Sequence, residues 1–167
     1  MPSSTTSAPT DRLSSLATLG GPARASLALT YLWLNASEVW RYFAFVMPMT
    51  RSAMPQIAGA APMDLVVFAI WGIWCLILFV PVAMFAWLYF DRFGAGVRSA
   101  LEIATLLWAT IFGIFWLATW NMNMTSSRIP LVALPLAWAE MAIAAAILAW
   151  GWRAGRAARS VAGVEKP

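Results

Sequence analysis

Polar positions are sparse in this chain, and they cluster so as to cut its apolar runs into lengths close to a bilayer's thickness. Residues 65–90 carry no charge and are bracketed by Asp64 and Asp91. The run exceeds the roughly 20 residues a helix needs to cross a hydrocarbon core, so it can span with some tilt. Pro81 inside it predicts a kink, which membrane helices tolerate where neighbours satisfy the freed carbonyl. A second run covers 100–120, with Glu102 at one edge and Asn121 at the other. A third covers 130–152, where Pro130 suits a first helical turn and Arg153 marks the exit.

Residues 26–46 are harder to place, because a span there has to accommodate Asn35, Glu38 and Arg41. A central Arg costs about 2.5–3.5 kcal/mol, against a gain of about 0.3–0.6 kcal/mol for each Leu, Phe or Val, so this helix inserts reluctantly and needs partners. Charge bias decides in its favour. With four spans, Arg12, Arg24, Arg92, Arg98, Arg153, Arg156, Arg159 and Lys166 fall on one side and only Arg51 and Arg128 on the other. With three spans that asymmetry nearly vanishes. The pattern therefore predicts an all-α membrane protein, a compact four-helix transmembrane bundle with both termini cytoplasmic. Residues 1–25, rich in Ser, Thr, Pro and Gly, form a disordered N-terminal tail with no cleavable signal; 26–152 form the bundle; 153–167 form a basic cytoplasmic tail.

Composition agrees. Hydrophobic residues make up 62% of the 167, aromatics 14% and charged residues only 11%, where a soluble domain carries about 25% charged. The net charge of +4 belongs to loops and tails, so nucleic acid is not an expected partner; the lipid bilayer is, together with a homo-oligomer or a larger membrane complex. The expected location is a bacterial inner membrane. With no His and one Cys, His-ligated haem, zinc in N/S ligand sets, cysteine-held iron–sulfur clusters and Ser-His-Asp triads are excluded. Cys75 reads as a small core residue.

The sharpest candidate chemistry is charge inside the bundle. Tyr31, Asn35, Glu38, Arg41 and Tyr42 fall within an arc of about 120° on a helical wheel, a polar stripe that must face inward. Glu38 and Arg41 are spaced i, i+3 and can pair. Glu140, near the middle of the last span, is at a depth similar to Glu38 if the two helices run antiparallel, so Glu38, Arg41 and Glu140 can form a triad. Two carboxylates on one guanidinium leave an acid without a full partner, and such a group can exchange a proton for a cation. The bland alternative is a polar lock that fixes helix register, with Arg41 bridging both acids.

Trp40, Trp71, Trp74, Trp116, Trp120 and Trp138 gather in the outer half, several too deep for an interfacial belt, and are expected to wall a cavity or to serve as core and lipid-facing bulk. Met47, Met49, Met122 and Met124 form two Met-x-Met pairs in the outer loops, soft ligands that could take Cu(I) or simply act as apolar filler. The small residues Thr105, Ala109 and Gly113, and likewise Ala133, Ala137 and Ala144, read as helix-packing stripes. The resulting expectation is a membrane protein that binds or transports a hydrophobic or cationic small molecule at Glu38, Arg41 and Glu140, with Asn35, Tyr42, Trp40 and Trp138 beside them. A subunit of a larger complex with no site of its own is the alternative. An intramembrane enzyme using Glu140 as acid or base is a more distant one, and a non-enzymatic role is favoured.

Overall fold

The computed structural model describes residues 20–57 and 64–161, so most of the expected N-terminal tail and the end of the C-terminal tail lie outside the described residues. Four helical rods make up the fold, with no strand among the described residues. Rod 1 comprises α1 (Gly21–Arg41), a wide π-turn segment (Tyr42–Val46) and α2 (Met47–Ala53). Rod 2 is α3 (Leu65–Phe93). Rod 3 joins α4 (Val97–Trp108) through a second π segment (Ala109–Gly113) to α5 (Ile114–Asn121). Rod 4 is α6 (Arg128–Val161).

Local chemistry sets the boundaries. Pro22 sits in the first turn of α1, where its missing N–H is no loss, so the helix starts at Gly21, ahead of the expected apolar span. Asp64 caps α3 by accepting a hydrogen bond from the Val67 amide at 2.9 Å. Gly94 ends α3 at φ 77°, a conformation that favours glycine, and its amide returns to the Phe90 carbonyl at 2.9 Å. Asn123, at φ 57°, turns the chain between rods 3 and 4, as Asn tolerates better than most residues. Pro48 cannot donate to the Ala44 carbonyl, and the widened turn over Tyr42–Val46 precedes it directly. Rod 4 stays helical to Val161, well past the apolar stretch, so part of the expected tail is a helix end.

The rods alternate in direction. Tyr31 meets Phe79 and Tyr42 meets Trp71, which sets rods 1 and 2 antiparallel. Trp108 Nε1 donates to the Leu134 carbonyl at 2.8 Å and Trp138 Nε1 to Thr105 Oγ1 at 3.1 Å, which does the same for rods 3 and 4. Rod 4 touches the other three and supplies much of the core, including Ala133, Ala137, Met141, Ala144 and Leu148. Its alanine stripe packs as expected.

Rods 1 and 4 approach most closely. A Cβ added to Gly151 would overlap Ser26, and Gly155 faces Ala23 at ordinary contact distance. The buried face of α1 is Ala23, Ser26, Thr30, Leu34, Ser37, Glu38 and Arg41, at mixed spacings of three and four. Small hydroxyl residues thus bring this rod against rod 4, as they do in helix pairs that lack large side chains.

The Thr105, Ala109 and Gly113 stripe departs from expectation. Thr105 and Ala109 are exposed and Gly113 half-buried; Ala109 and Gly113 lie in the lining of an open groove between rods 3 and 4. Rod 3 buries the opposite residues Ile103, Ala104, Leu107 and Phe112, so the small residues are on its open side.

Three helical stretches are long and apolar enough to cross a membrane: Leu65–Phe93, Val97–Asn121 and Arg128–Ala158. Rod 1 is long enough but, with Glu38, Arg41 and Asn35 in its middle, not apolar enough. Those two charged groups are instead buried against rod 4, where Arg41 meets Glu140.

Candidate functional site

Glu38 and Arg41 reach the bundle interior from α1, and Glu140 meets them from α6. All three are closed off from the surface, at 4%, 5% and 5% exposure. Arg41 Nη2 pairs with Glu38 Oε1 along the helix, and Arg41 Nε donates to Glu140 Oε2 at 3.0 Å. The expected i, i+3 pair and the expected cross-bundle contact are therefore both present.

Every rod contributes to this junction. Phe112, from the π segment of rod 3, lies under the Arg41 guanidinium with its ring centre 5.2 Å away. Cys75 of α3, buried, is within electrostatic reach of all three charged groups. Trp33 Nε1 donates to the Glu140 backbone carbonyl at 3.0 Å and so pins α6 to α1 at the triad's own glutamate. Ser37 stands close enough to Glu140 to turn its hydroxyl onto the carboxylate, but as placed it donates to the Trp33 carbonyl at 2.7 Å. Glu140 Oε1 is left buried with no hydrogen-bond partner among the described residues. The triad therefore carries two acids against one base and one unused carboxylate oxygen, and an unpaired polar atom in a closed interior is costly.

The other expected site residues are elsewhere. Asn35 Nδ2 donates to the Tyr31 carbonyl at 2.8 Å on its own helix. Tyr42 sets its ring against Trp71, with centroids 4.6 Å apart. Trp40 is 55% exposed and meets Phe45, and Trp138 is 38% exposed and bonds Thr105. Each of these tryptophans is two positions from a triad glutamate, which on a helix puts it on nearly the opposite side. Trp33, Ser37 and Phe112 take the places beside the charges. Trp33 and Ser37 share the i, i+4 face that continues to Arg41, which is the signal that could have found them; Phe112 has none.

Of the outer tryptophans, Trp116 and Trp120 wall a groove of about 590 Å³ together with Trp108, Leu131 and Leu134. Trp40, Trp71, Trp74 and Trp138 are not in its lining. Neither this groove, nor a more polar one at the same end lined by Met49, Ser52, Ser126 and Arg128, nor one between rods 2 and 3 includes a triad residue. Of the methionines, Met47 and Met49 are half-buried, whereas Met122 and Met124 are exposed in the turn before rod 4. Among the described residues no group of three or more His, Cys, Asp or Glu is placed to hold a metal ion.

No family model, curated protein or solved structure matches this chain.

Proposed function

We propose that this is a small integral membrane protein, inserted with both termini in the cytoplasm, that binds or transports a hydrophobic or cationic small molecule under control of the Glu38–Arg41–Glu140 triad. A bacterial inner membrane is its proposed home. The carrying observation is the charge imbalance: two buried carboxylates share one guanidinium, and Glu140 Oε1 accepts no hydrogen bond while the Ser37 hydroxyl beside it donates to the Trp33 carbonyl. A residual acceptor of this kind is satisfied by a proton or by a cation nearby. Because the junction is closed by Phe112, Trp33 and Ser37, the species that reaches it directly has to be very small, and a proton fits that requirement.

The larger molecule would occupy the tryptophan-walled groove, whose volume of about 590 Å³ falls within the usual range for small-molecule sites. Phe112 links the two places. Its ring supports Arg41 on the bundle side, while Ala109 and Gly113, which bound the same π segment, line the groove on the other. A change in the charge held by Arg41 is thus felt one helical turn from the ligand.

The test is quenching of tryptophan fluorescence by tetraphenylphosphonium, a hydrophobic cation, titrated onto the full chain in detergent across the acid-to-neutral range. Protonating the carboxylates removes the negative charge that favours a cation, so affinity should fall on acidification, and Glu140→Gln should be weak and flat with pH. Binding by the parent that does not change with pH, and that Glu140→Gln leaves as tight as before, would sink the carboxylate role. A second reading, a subunit of a larger complex, draws on the broad apolar sides of rods 2 and 3, where Leu65, Ile77, Ile114 and Leu117 stand well exposed. A stoichiometric assembly in the intact mass of the gently extracted protein would favour it.

A further inference from the structure

The groove between rods 2 and 3 is mostly apolar, with Tyr89 and Arg92 toward one end and Thr110, whose hydroxyl is turned onto the Leu106 carbonyl, toward the other. Its walls are Phe85, Leu88, Ile103, Leu106 and Leu107, and one end is marked by Arg92. From Phe85 to Phe93 α3 rises about 12 Å at 1.5 Å per residue, so the groove runs from the end of the rod toward the middle of the bundle. Its volume is about 430 Å³. Arg92 is exposed and makes no ion pair among the described residues. The neighbouring Arg98 is engaged, donating to Glu102 Oε1 at 2.8 Å, while Tyr89 donates to Glu102 Oε2 at 2.8 Å.

We infer that this groove is a binding site for an anionic phospholipid, its acyl chain lying on Phe85, Leu88 and Leu106 and its phosphate meeting Arg92. The inference rests on the reading of the protein as membrane-embedded. An apolar trough alone would accept any lipid; the commitment to an anionic one comes from charge. The end of the bundle to which the groove opens also carries Arg24, Arg98, Arg153 and Arg156, against Asp91 and Glu102. Glu102 is already held by Arg98 and Tyr89, so Arg92 and the adjacent Asp91 set the local balance, and only Arg92 is in the groove lining. The head-to-tail order, cation at the rod end and hydrocarbon toward the middle, is that of a phospholipid in the leaflet on this side. Under the charge-bias topology that is the cytoplasmic leaflet, where anionic lipids attract basic residues and basic pockets between helices take their headgroups.

The experiment is native mass spectrometry of the full chain released from detergent micelles containing equal amounts of a phosphatidylglycerol and a phosphatidylcholine with the same acyl chains. The expected result is one retained phosphatidylglycerol per chain, with phosphatidylcholine retained several-fold less. Arg92→Gln should cut that preference about fivefold, the worth of one basic residue at a membrane surface. Arg153→Gln, at the same end but outside the groove, should leave it unchanged. Leu106→Trp should fill the trough and reduce retention of both lipids. Equal retention of the two lipids by the parent overturns the proposal, as does a loss of preference in Arg153→Gln equal to that in Arg92→Gln. So does competition by soluble glycerol phosphate as effective as that by the lipid. A chain that stays soluble without detergent would instead refute the membrane reading beneath it.

Discussion

Arg41 is the one cation paired with both carboxylates, so the cost of losing it is larger than that of losing either acid. Arg41→Met leaves Glu38 and Glu140 facing each other in a closed junction, and removal of one partner from a buried ion pair costs about 3–5 kcal/mol. The expected outcome is a marked fall in the thermal midpoint in detergent. The neutral combination Glu38→Gln, Arg41→Met and Glu140→Gln should recover most of that loss, because no uncompensated charge remains, yet should not recover pH-dependent ligand binding. This pair of measurements separates a lock from a working site: a triple variant that is stable and still binds with the parent's pH profile would leave the triad only a structural role. Gly151 is a second point at which one atom decides. Gly151→Ala places a Cβ on Ser26, an overpacking that costs about 1–3 kcal/mol, and adding Ser26→Gly should return part of it. A thermal midpoint for Gly151→Ala equal to the parent's would show that the two rods can separate there without cost.

The helices were legible to different degrees, for physical reasons that differ. Rod 2 could be read directly because nothing polar interrupts it between Asp64 and Asp91, and the Asp64 cap confirms its start. Rod 1 was legible only through charge bias, since its interior charges erase the apolar signal and are tolerated because Glu140 lies opposite. The triad followed from an i, i+3 pair and a depth argument, but its surroundings did not. Trp40 and Trp138 looked close in sequence and point away, while Phe112 arrives through a π segment that no local pattern announces. The small-residue stripe on rod 3 misled for a related reason: spacing shows which residues share a face, not whether another helix covers it. One consequence belongs to this scale. Rod 1 presented alone to the insertion machinery should remain largely outside the bilayer. Glu38→Leu with Arg41→Leu should convert it to a span, because two penalties of about 2.5–3.5 kcal/mol are removed. Efficient insertion of the unaltered rod by itself would mean that its partners are not what holds it in the membrane.

At the scale of the whole molecule, alternation of the rods turns topology into a linked set of observations. Gln56 and Thr125 are in the connections at one end, and Ala95 is in the turn at the other, where rod 1 begins and rod 4 ends. That second end gathers Arg24, Arg92, Arg98, Arg153 and Arg156, whereas the first has Arg51 and Arg128. On the proposed membrane reading, cytoplasmic retention of basic loops would orient the bundle with the arginine-rich end inside. Reporter fusions at Gln56 and Thr125 should both map outside, and fusions at Ala95 and at the C-terminus inside. If Gln56 and Ala95 both mapped inside, rod 2 would not cross. The sign of the result is also linked to lipid selectivity. An inverted bundle would put Arg92 in the outer leaflet, and its groove would meet the less anionic surface. Neutralising Arg92, Arg98, Arg153 and Arg156 together should therefore weaken the orientation preference and yield a mixed population. Arg51→Gln with Arg128→Gln should leave a single orientation, since the two outer cations oppose the bias rather than create it.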